Sequence, residues 1–282
     1  MSGPVLVVGG DGLIGMALAT EFQANRQTFI ATTRRKDGRG LSLDLAKPDE
    51  WEIPPDLDAA VLCAAATNLG FCRDNPEAAR QINVINTLRL AEELSRQGAF
   101  ISFLSTNLVF DGEIPRIAGD APLNPRTVYG ELKAEAERGL PDVAENFAII
   151  RLSKVFTQDM PLLLNWRRQL DAGEILEPFV DYRCSPIDLT TAARAIAMIT
   201  TQRRSGIWQL CPENDVSYAD IAHETASRLG VPANRIKPIP STAKTELEHI
   251  PKHTTLDASR AREEMNLEFP PMPVVLDRVW DS

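Results

Sequence analysis

A run of four apolar residues, Val5–Val8, passes directly into Gly9-Gly10-Asp11-Gly12-Leu13-Ile14-Gly15, and a helically spaced apolar segment follows to Ala24. This junction constrains the fold more than any other stretch of the chain. Gly9, Gly12 and Gly15 form GxxGxxG, and Gly10, Gly12 and Gly15 form GxGxxG. A glycine pattern alone is weak. Between a strand and a helix it describes a turn whose backbone can approach a pyrophosphate, with helix N-terminal amides aimed at the anion. Gly9, Gly12, Leu13, Ile14 and Gly15 are therefore candidate cofactor contacts.

The same rhythm continues downstream. Strands are expected at Phe29–Thr33, Leu41–Leu45, Ala59–Ala66, Ala99–Leu104 and Phe147–Leu152, with helices over Pro76–Gln97 and Thr127–Gly139. The uninterrupted apolar run at 59–66 suits a strand buried on both faces. Alternation of this kind predicts an α/β fold, a doubly wound parallel sheet of Rossmann type. After Val155 the rhythm changes and prolines accumulate, so a smaller second lobe is expected. The expected division is 1–156 with 184–212 for the dinucleotide-binding domain, and 157–183 with 213–282 for the lobe. Ser217 and Asp220 form a capping-box variant that opens a helix to Leu229.

Composition narrows the function. Acidic residues number 39 against 30 basic ones, for a formal charge of -9, which disfavours nucleic acid as a partner. The four cysteines lack CxxC spacing, so they read as reduced thiols in a cytoplasmic protein. Met1–Pro4 carries no basic segment, and no apolar run approaches about 18 residues, so neither a signal peptide nor a membrane span is expected. His249 and His253 are i, i+4, but Pro251 lies between them, and no metal site is expected.

The end of the second strand selects the dinucleotide. NAD sites place a carboxylate there, on the ribose 2′-hydroxyl. This chain has Thr33-Arg34-Arg35-Lys36, with no acid before Asp37. Cations suit a 2′-phosphate, so NADP(H) is expected, with Arg34 as first contact and Arg35 as second.

Among only three tyrosines, Tyr129 has Lys133 four residues on. That spacing places both on one helix face. The chemistry wants such a pair, because a free phenol titrates near pH 10 and an adjacent ammonium favours its ionised form. The fifth strand ends Ser105-Thr106-Asn107, placing a hydroxyl where ligands bind in open α/β sheets. The fourth ends Ala64-Ala65-Ala66-Thr67-Asn68, small residues beside which a flat ring could lie.

Taken together, GGDGLIG (9–15), CAAATN (63–68), NPEAARQINVINT (75–87), STNLVFDG (105–112), YGELK (129–133), RLSKVF (151–156) and LDASRA (256–261) resemble the extended short-chain dehydrogenase/reductases, and within them the dTDP-4-dehydrorhamnose reductase group. The resemblance implies that Thr106, Tyr129 and Lys133 are catalytic. Thr106 would bond the substrate oxygen, Tyr129 would act as general acid, and Lys133 would hold the nicotinamide ribose and lower the Tyr129 pKa. It implies that Asp44 and Leu45 lie by the adenine and that Ala64, Ala65 and Ala66 border the cofactor. Thr67, Asn107, Val109, Phe110, Lys154 and Arg183 would meet a nucleotide-sugar substrate. A homodimer is expected as the commonest symmetric assembly. The departures fall on the sugar side: Asn107-Leu108 where an acid and an aromatic are usual, Lys154 where a tryptophan is usual, and no glycine in Tyr182–Pro186. Asn107-Leu108 also lacks the Asp-Glu pair of the 4,6-dehydratases. The expected activity is NADPH-dependent reduction of a nucleotide-linked 4-keto-6-deoxy sugar. The alternatives are an epimerase of the same family and a non-catalytic NADP-binding regulatory subunit.

Overall fold

The computed structural model describes residues 3–35, 40–243 and 249–280. In chain order the elements begin with β1 (Val5–Val8), α1 (Leu13–Ala24), β2 (Phe29–Thr33), β3 (Leu41–Ser42) and β4 (Ala59–Leu62). Next come α2 (Leu69–Asp74), α3 (Pro76–Arg80), a π-helical turn (Gln81–Asn86), α4 (Thr87–Arg96), β5 (Phe100–Thr106), α5 (Val128–Val143) and β6 (Phe147–Leu152). The remainder is β7 (Lys154–Phe156), α6 (Pro161–Asp171), β8 (Arg183–Cys184), β9 (Pro186–Asp188), α7 (Leu189–Thr201), β10 (Gly206–Leu210), β11 (Val216–Ser217), α8 (Tyr218–Arg228), α9 (Ser259–Met265) and α10 (Met272–Trp280).

The chain divides into two compact units: Met1–Phe110 with Pro122–Leu152 and Thr190–Trp208, and Asp111–Ala121 with Ser153–Leu189 and Gln209–Ser282. The first is built on a seven-stranded sheet in the order β10-β6-β5-β4-β1-β2-β3. The pairings from β3 across to β6 are parallel. This is the doubly wound arrangement, with its switch point between β1 and β4, where a crevice opens at the strands' carboxyl ends. All four residues of β1 and of β4 are buried, as strands covered on both faces require. Leu6, Val8, Leu62, Ile101 and Phe103 from the strands pack with Leu90, Leu94 and Leu140 from α4 and α5 in one core.

The end of the fourth strand and the course of the 76–97 helix differ from the sequence reading for identifiable reasons. The fourth strand stops at Leu62 rather than Ala66, because the Cys63 and Ala64 amides both donate to the Val8 carbonyl, at 3.0 and 2.9 Å. That turns the chain off the sheet at the switch point. The expected helix over Pro76–Gln97 is present from Pro76 to Arg96 and passes through a π-helical turn at Gln81–Asn86. Two buried asparagines of that turn bond outside the helix, Asn83 to Ala66 and Asn86 Nδ2 to the Leu45 carbonyl, while Gln81 Nε2 donates to Asn86 Oδ1 within it.

The second unit has two short two-stranded sheets, β7 with β9 and β8 with β11. Its core gathers Phe156, Leu163, Trp166, Ile221, Val275 and Leu276. The expected capping box at Ser217 and Asp220 is present with both of its hydrogen bonds. The segment 111–121 runs beside 251–257: the His253 amide donates to the Gly112 carbonyl at 2.8 Å, and Ile117 pairs with Leu256. The two histidines have separate partners here. His249 Nε2 lies 2.9 Å from the Asp111 carbonyl, and His253 Nδ1 lies 3.1 Å from the Asp215 carboxylate. No helix among the described residues is long and apolar enough to cross a membrane.

Candidate active site

The glycine turn is fixed by β2. The Gly9 amide donates to the Thr32 hydroxyl at 3.0 Å, and the Gly10 amide to the Thr32 carbonyl at 2.8 Å. Gly15 sits where a side chain cannot: an added Cβ would lie 2.3 Å from the Gly9 carbonyl oxygen and 2.7 Å from the Gly10 Cα. Helix α1 therefore starts directly against the turn. Gly12 is its N-cap, with no side-chain hydrogen bond and no acid in the first turn. The free amides of Leu13, Ile14 and Gly15 and the positive end of the helix dipole are left for an anion. The nearby Asp11 carboxylate accepts from the Thr33 hydroxyl.

Arg34 and Arg35 follow β2, both exposed, and the Arg35 amide donates to the Thr33 hydroxyl at 2.9 Å. Lys36, the third cation of that turn, lies outside the described residues. Asp44 caps the next turn by accepting from the Ala46 amide at 2.9 Å. The Leu45 side chain is buried in the core, and its carbonyl accepts from Asn86 Nδ2 at 2.5 Å.

Across the switch point, Ala64, Ala65 and Ala66 are half-buried, and Thr67 is exposed. Ala66 is gripped by a residue that the sequence reading missed. Its amide donates to Asn83 Oδ1 at 2.7 Å, and its carbonyl accepts from Asn83 Nδ2 at 2.9 Å. The signal available was a pair of asparagines three apart within an apolar helical pattern.

The remaining candidates meet at the end of β5. The Thr106 hydroxyl accepts from the Leu108 amide at 3.2 Å, closing a short 3-10 turn over Asn107–Val109. Asn107 is half-buried, while Val109 and Phe110 turn inward and are buried. Thr127 caps α5 by accepting from the Gly130 amide at 3.1 Å. A Cβ on Gly130 would fall 2.2 Å from the Leu108 carbonyl oxygen, so only glycine lets α5 seat on the Thr106 turn. That contact brings Tyr129 to the site. Tyr129 packs against the buried cluster of Cys72, Ala79, Val84 and Leu132, which Ala66 also borders.

Burial, with the Cys72 thiol second, raises the Tyr129 pKa. The lowering expected from Lys133 is not seen: the causes acting on the phenol all raise its pKa and favour its protonated form. Lys133 is also buried, with its ammonium 4.0 Å from the centroid of the Phe103 ring in β5. Burial pulls its pKa from 10.5 to about 8, opposed by Glu137 and Cys63. The Cys63 thiol is pushed up to about 12 by its own burial, with Lys133 pulling the other way.

Lys154 and Arg183 belong to the second unit. The Lys154 ammonium lies 5.7 Å from the Tyr218 ring centroid, and Tyr218 packs against Tyr182 at 4.7 Å between ring centroids. Arg183 is exposed in β8. Among the described residues, no group of three or more His, Cys, Asp or Glu side chains could hold a metal ion.

Comparison with known proteins places this arrangement. The family model described as RmlD substrate binding domain matches residues 3–281. A probable low-salt glycan biosynthesis reductase, Agl14 of Haloferax volcanii, is 26% identical over 287 residues, covering 94% of this chain and 93% of that protein. Methionine adenosyltransferase 2 subunit beta of Xenopus tropicalis is 30% identical over 165 residues; this match spans 54% of the chain and only 46% of that protein. Among solved structures, a dTDP-4-dehydrorhamnose reductase from Bacillus anthracis, in complex with NADP, superposes with a TM-score of 0.87 at 18% identity, covering 100% of this chain and 99% of that one.

Proposed function

The chain belongs to the family described as RmlD substrate binding domain, and on that footing we propose that it is an NADPH-dependent oxidoreductase reducing the keto group of a nucleotide-linked 4-keto-6-deoxy sugar. The observation that carries this reading is the seating of α5 on the Thr106 turn. It sets Tyr129 against the buried cluster of Cys72, Val84 and Leu132, which Ala66 also borders, and Lys133 over Phe103 of β5, in the domain that carries the glycine turn after β1.

In this reading, the free amides of Leu13, Ile14 and Gly15, presented by the turn that Gly9 and Gly12 form, receive the pyrophosphate, and Arg34 and Arg35 receive the 2′-phosphate. Asp44 and Leu45 flank the adenine, Ala64–Ala66 leave room for a flat ring, and Lys133 bonds the nicotinamide ribose. NADPH supplies the hydride when bound. Thr106 donates a hydrogen bond to the substrate carbonyl oxygen, and Tyr129 delivers the proton to that same oxygen, completing the alcohol. A phenol whose pKa is raised by burial is protonated at neutral pH, as a proton donor must be. Thr67 and Asn107 offer polar groups to the sugar, and the buried Val109 and Phe110 shape the turn beneath it. Lys154 and Arg183 are the cations proposed for the substrate's diphosphate.

A second reading is a non-catalytic NADP-binding subunit, favoured by the Xenopus tropicalis relative, which is named as a subunit beta of methionine adenosyltransferase 2. One experiment separates the two: NADPH oxidation with a panel of nucleotide-linked 4-keto-6-deoxy sugars, with Tyr129→Phe in parallel. Turnover that falls about a hundredfold or more in the variant supports the reductase. NADPH binding without turnover of any panel sugar supports the subunit.

A further inference from the structure

The catalytic helix carries a second ionisable face. Tyr129, Lys133 and Glu137 stand at i, i+4 and i+8 of α5, so all three share one side. Glu137 is itself buried and is clamped by Arg151 of β6, also buried. Arg151 Nε lies 3.0 and 3.2 Å from the two carboxylate oxygens, and its Nη2 lies 2.7 Å from Oε2. The Arg151 guanidinium also lies over the Phe110 ring at 4.9 Å. A two-pronged pair of this kind fixes a carboxylate's orientation as well as its charge. As a stability device it is a poor bargain, since well-packed apolar residues often do as well in such positions.

We propose that Glu137, oriented by Arg151, is a positioning residue: the fixed counter-charge that lets the Lys133 ammonium reside in the desolvated site.

The groups facing Lys133 make this specific. From β5 it meets the face of Phe103, which favours a cation weakly. From the end of β4 it meets the Cys63 thiol, whose pKa is so high that it is uncharged at neutral pH. Tyr129, one turn back on α5, is also neutral. Glu137 is therefore the one carboxylate among the groups that act on Lys133, and it opposes the desolvation that pulls the ammonium toward its neutral form. Arg151, bonded to both of its oxygens, fixes that carboxylate's orientation.

The importance of this arrangement for turnover rests on the reading of Lys133 as the ribose contact, but its test needs no sugar. The chain has seven lysines, few enough for each to be resolved by NMR of 13Cε-labelled lysine, with Lys133→Arg assigning the Lys133 signal. Glu137→Gln is expected to lower the pH at which that signal titrates by about one pH unit or more. Because that variant strands Arg151, a paired Glu137→Met/Arg151→Met variant, which removes the guanidinium together with its carboxylate partner, is measured beside it. A titration lowered in the paired variant, with NADPH binding at pH 8 weakened at least threefold, supports the proposal. A folded paired variant whose Lys133 titrates as in the parent overturns it and leaves the pair a purely structural clamp. Both outcomes stand whichever sugar, or none, is turned over.

Discussion

The Lys133 ammonium rests 4.0 Å from the centroid of the Phe103 ring, and fully within the protein. The pair crosses from α5 to β5 three residues before Thr106. A single aromatic face thus supports the site's central cation and lies on the strand that presents its hydroxyl. The arrangement is costly. A pKa falling from 10.5 in the unfolded chain to about 8 in the folded one means that holding the charge costs about 3 kcal/mol of stability.

Lys133→Met should therefore stabilise the protein while abolishing turnover. The sign follows from proton counting. Below about pH 8 both states carry the charge and the folded state bears the full cost. Between about pH 8 and 10.5 the folded state sheds its proton first, so the native protein gains stability as pH rises through that window. The variant lacks this dependence. Its melting temperature should exceed the parent's at pH 7, and the gap should close by about pH 10. A variant less stable than the parent at pH 7 would show that the Phe103 and Glu137 contacts outweigh desolvation.

Much of this could be read along the chain, because its causes are local. A four-residue apolar strand, a glycine turn and a helix are neighbours in sequence, and Tyr129 and Lys133 are one helical turn apart. What could not be read depends on partners that folding brings in. The π-helical turn inside the expected 76–97 helix carries contacts that spacing does not show: Asn83 meets Ala66, 17 residues away, and Asn86 meets Leu45, 41 away. Glu137 shares the Tyr129 face by spacing alone, but its role depends on Arg151, which only the packing of β6 against α5 supplies. The inward turn of Val109 and Phe110 escaped for a similar reason: it follows from the Thr106–Leu108 hydrogen bond rather than from any periodicity.

The cationic turn after β2 gives a prediction about cofactor choice. Arg34 and Arg35 are exposed, and the Thr33 hydroxyl fixes the backbone between them. Arg34→Ala removes one charge-assisted bond, worth about 1.5–3 kcal/mol. The preference for NADPH over NADH should fall roughly tenfold to a hundredfold, with stability changed by no more than about 0.5 kcal/mol. Dissociation constants for both cofactors check it. An unchanged ratio would mean that the 2′-phosphate is recognised elsewhere.

The glycine turn separates two substitutions that look alike in sequence. Gly15→Ala forces a Cβ to 2.3 Å from the Gly9 carbonyl, whereas Gly12→Ala comes only to 3.2 Å of the same oxygen. Backbone cannot yield at the first position without displacing α1, and the free amides move with it. Affinity for NADPH should drop at least about tenfold in Gly15→Ala and by less in Gly12→Ala. Equal losses at the two positions would mean that steric crowding is not what selects glycine here.

Asn83 offers the sharpest test of how the crevice is held open. Its amide satisfies both the Ala66 amide and the Ala66 carbonyl, and it is 1% exposed. Asn83→Ala strands the Ala66 amide, at about 1–3 kcal/mol before solvent reaches it, and leaves the Ala66 carbonyl only the Cys72 thiol, at 3.3 Å. Asn83→Asp keeps the acceptor for the Ala66 amide but sets a carboxylate against the Ala66 carbonyl, which repels it. Both variants should lower the melting temperature and weaken NADPH binding, because Ala66 borders the proposed path of the nicotinamide and packs on the same buried cluster as Tyr129. The loss in Asn83→Asp should also depend on pH, easing as acid protonates the new carboxyl and restores a donor. An Asn83→Asp variant that binds NADPH as the parent does at neutral pH would mean that the π-helical turn holds itself, and that its asparagine merely fills the space.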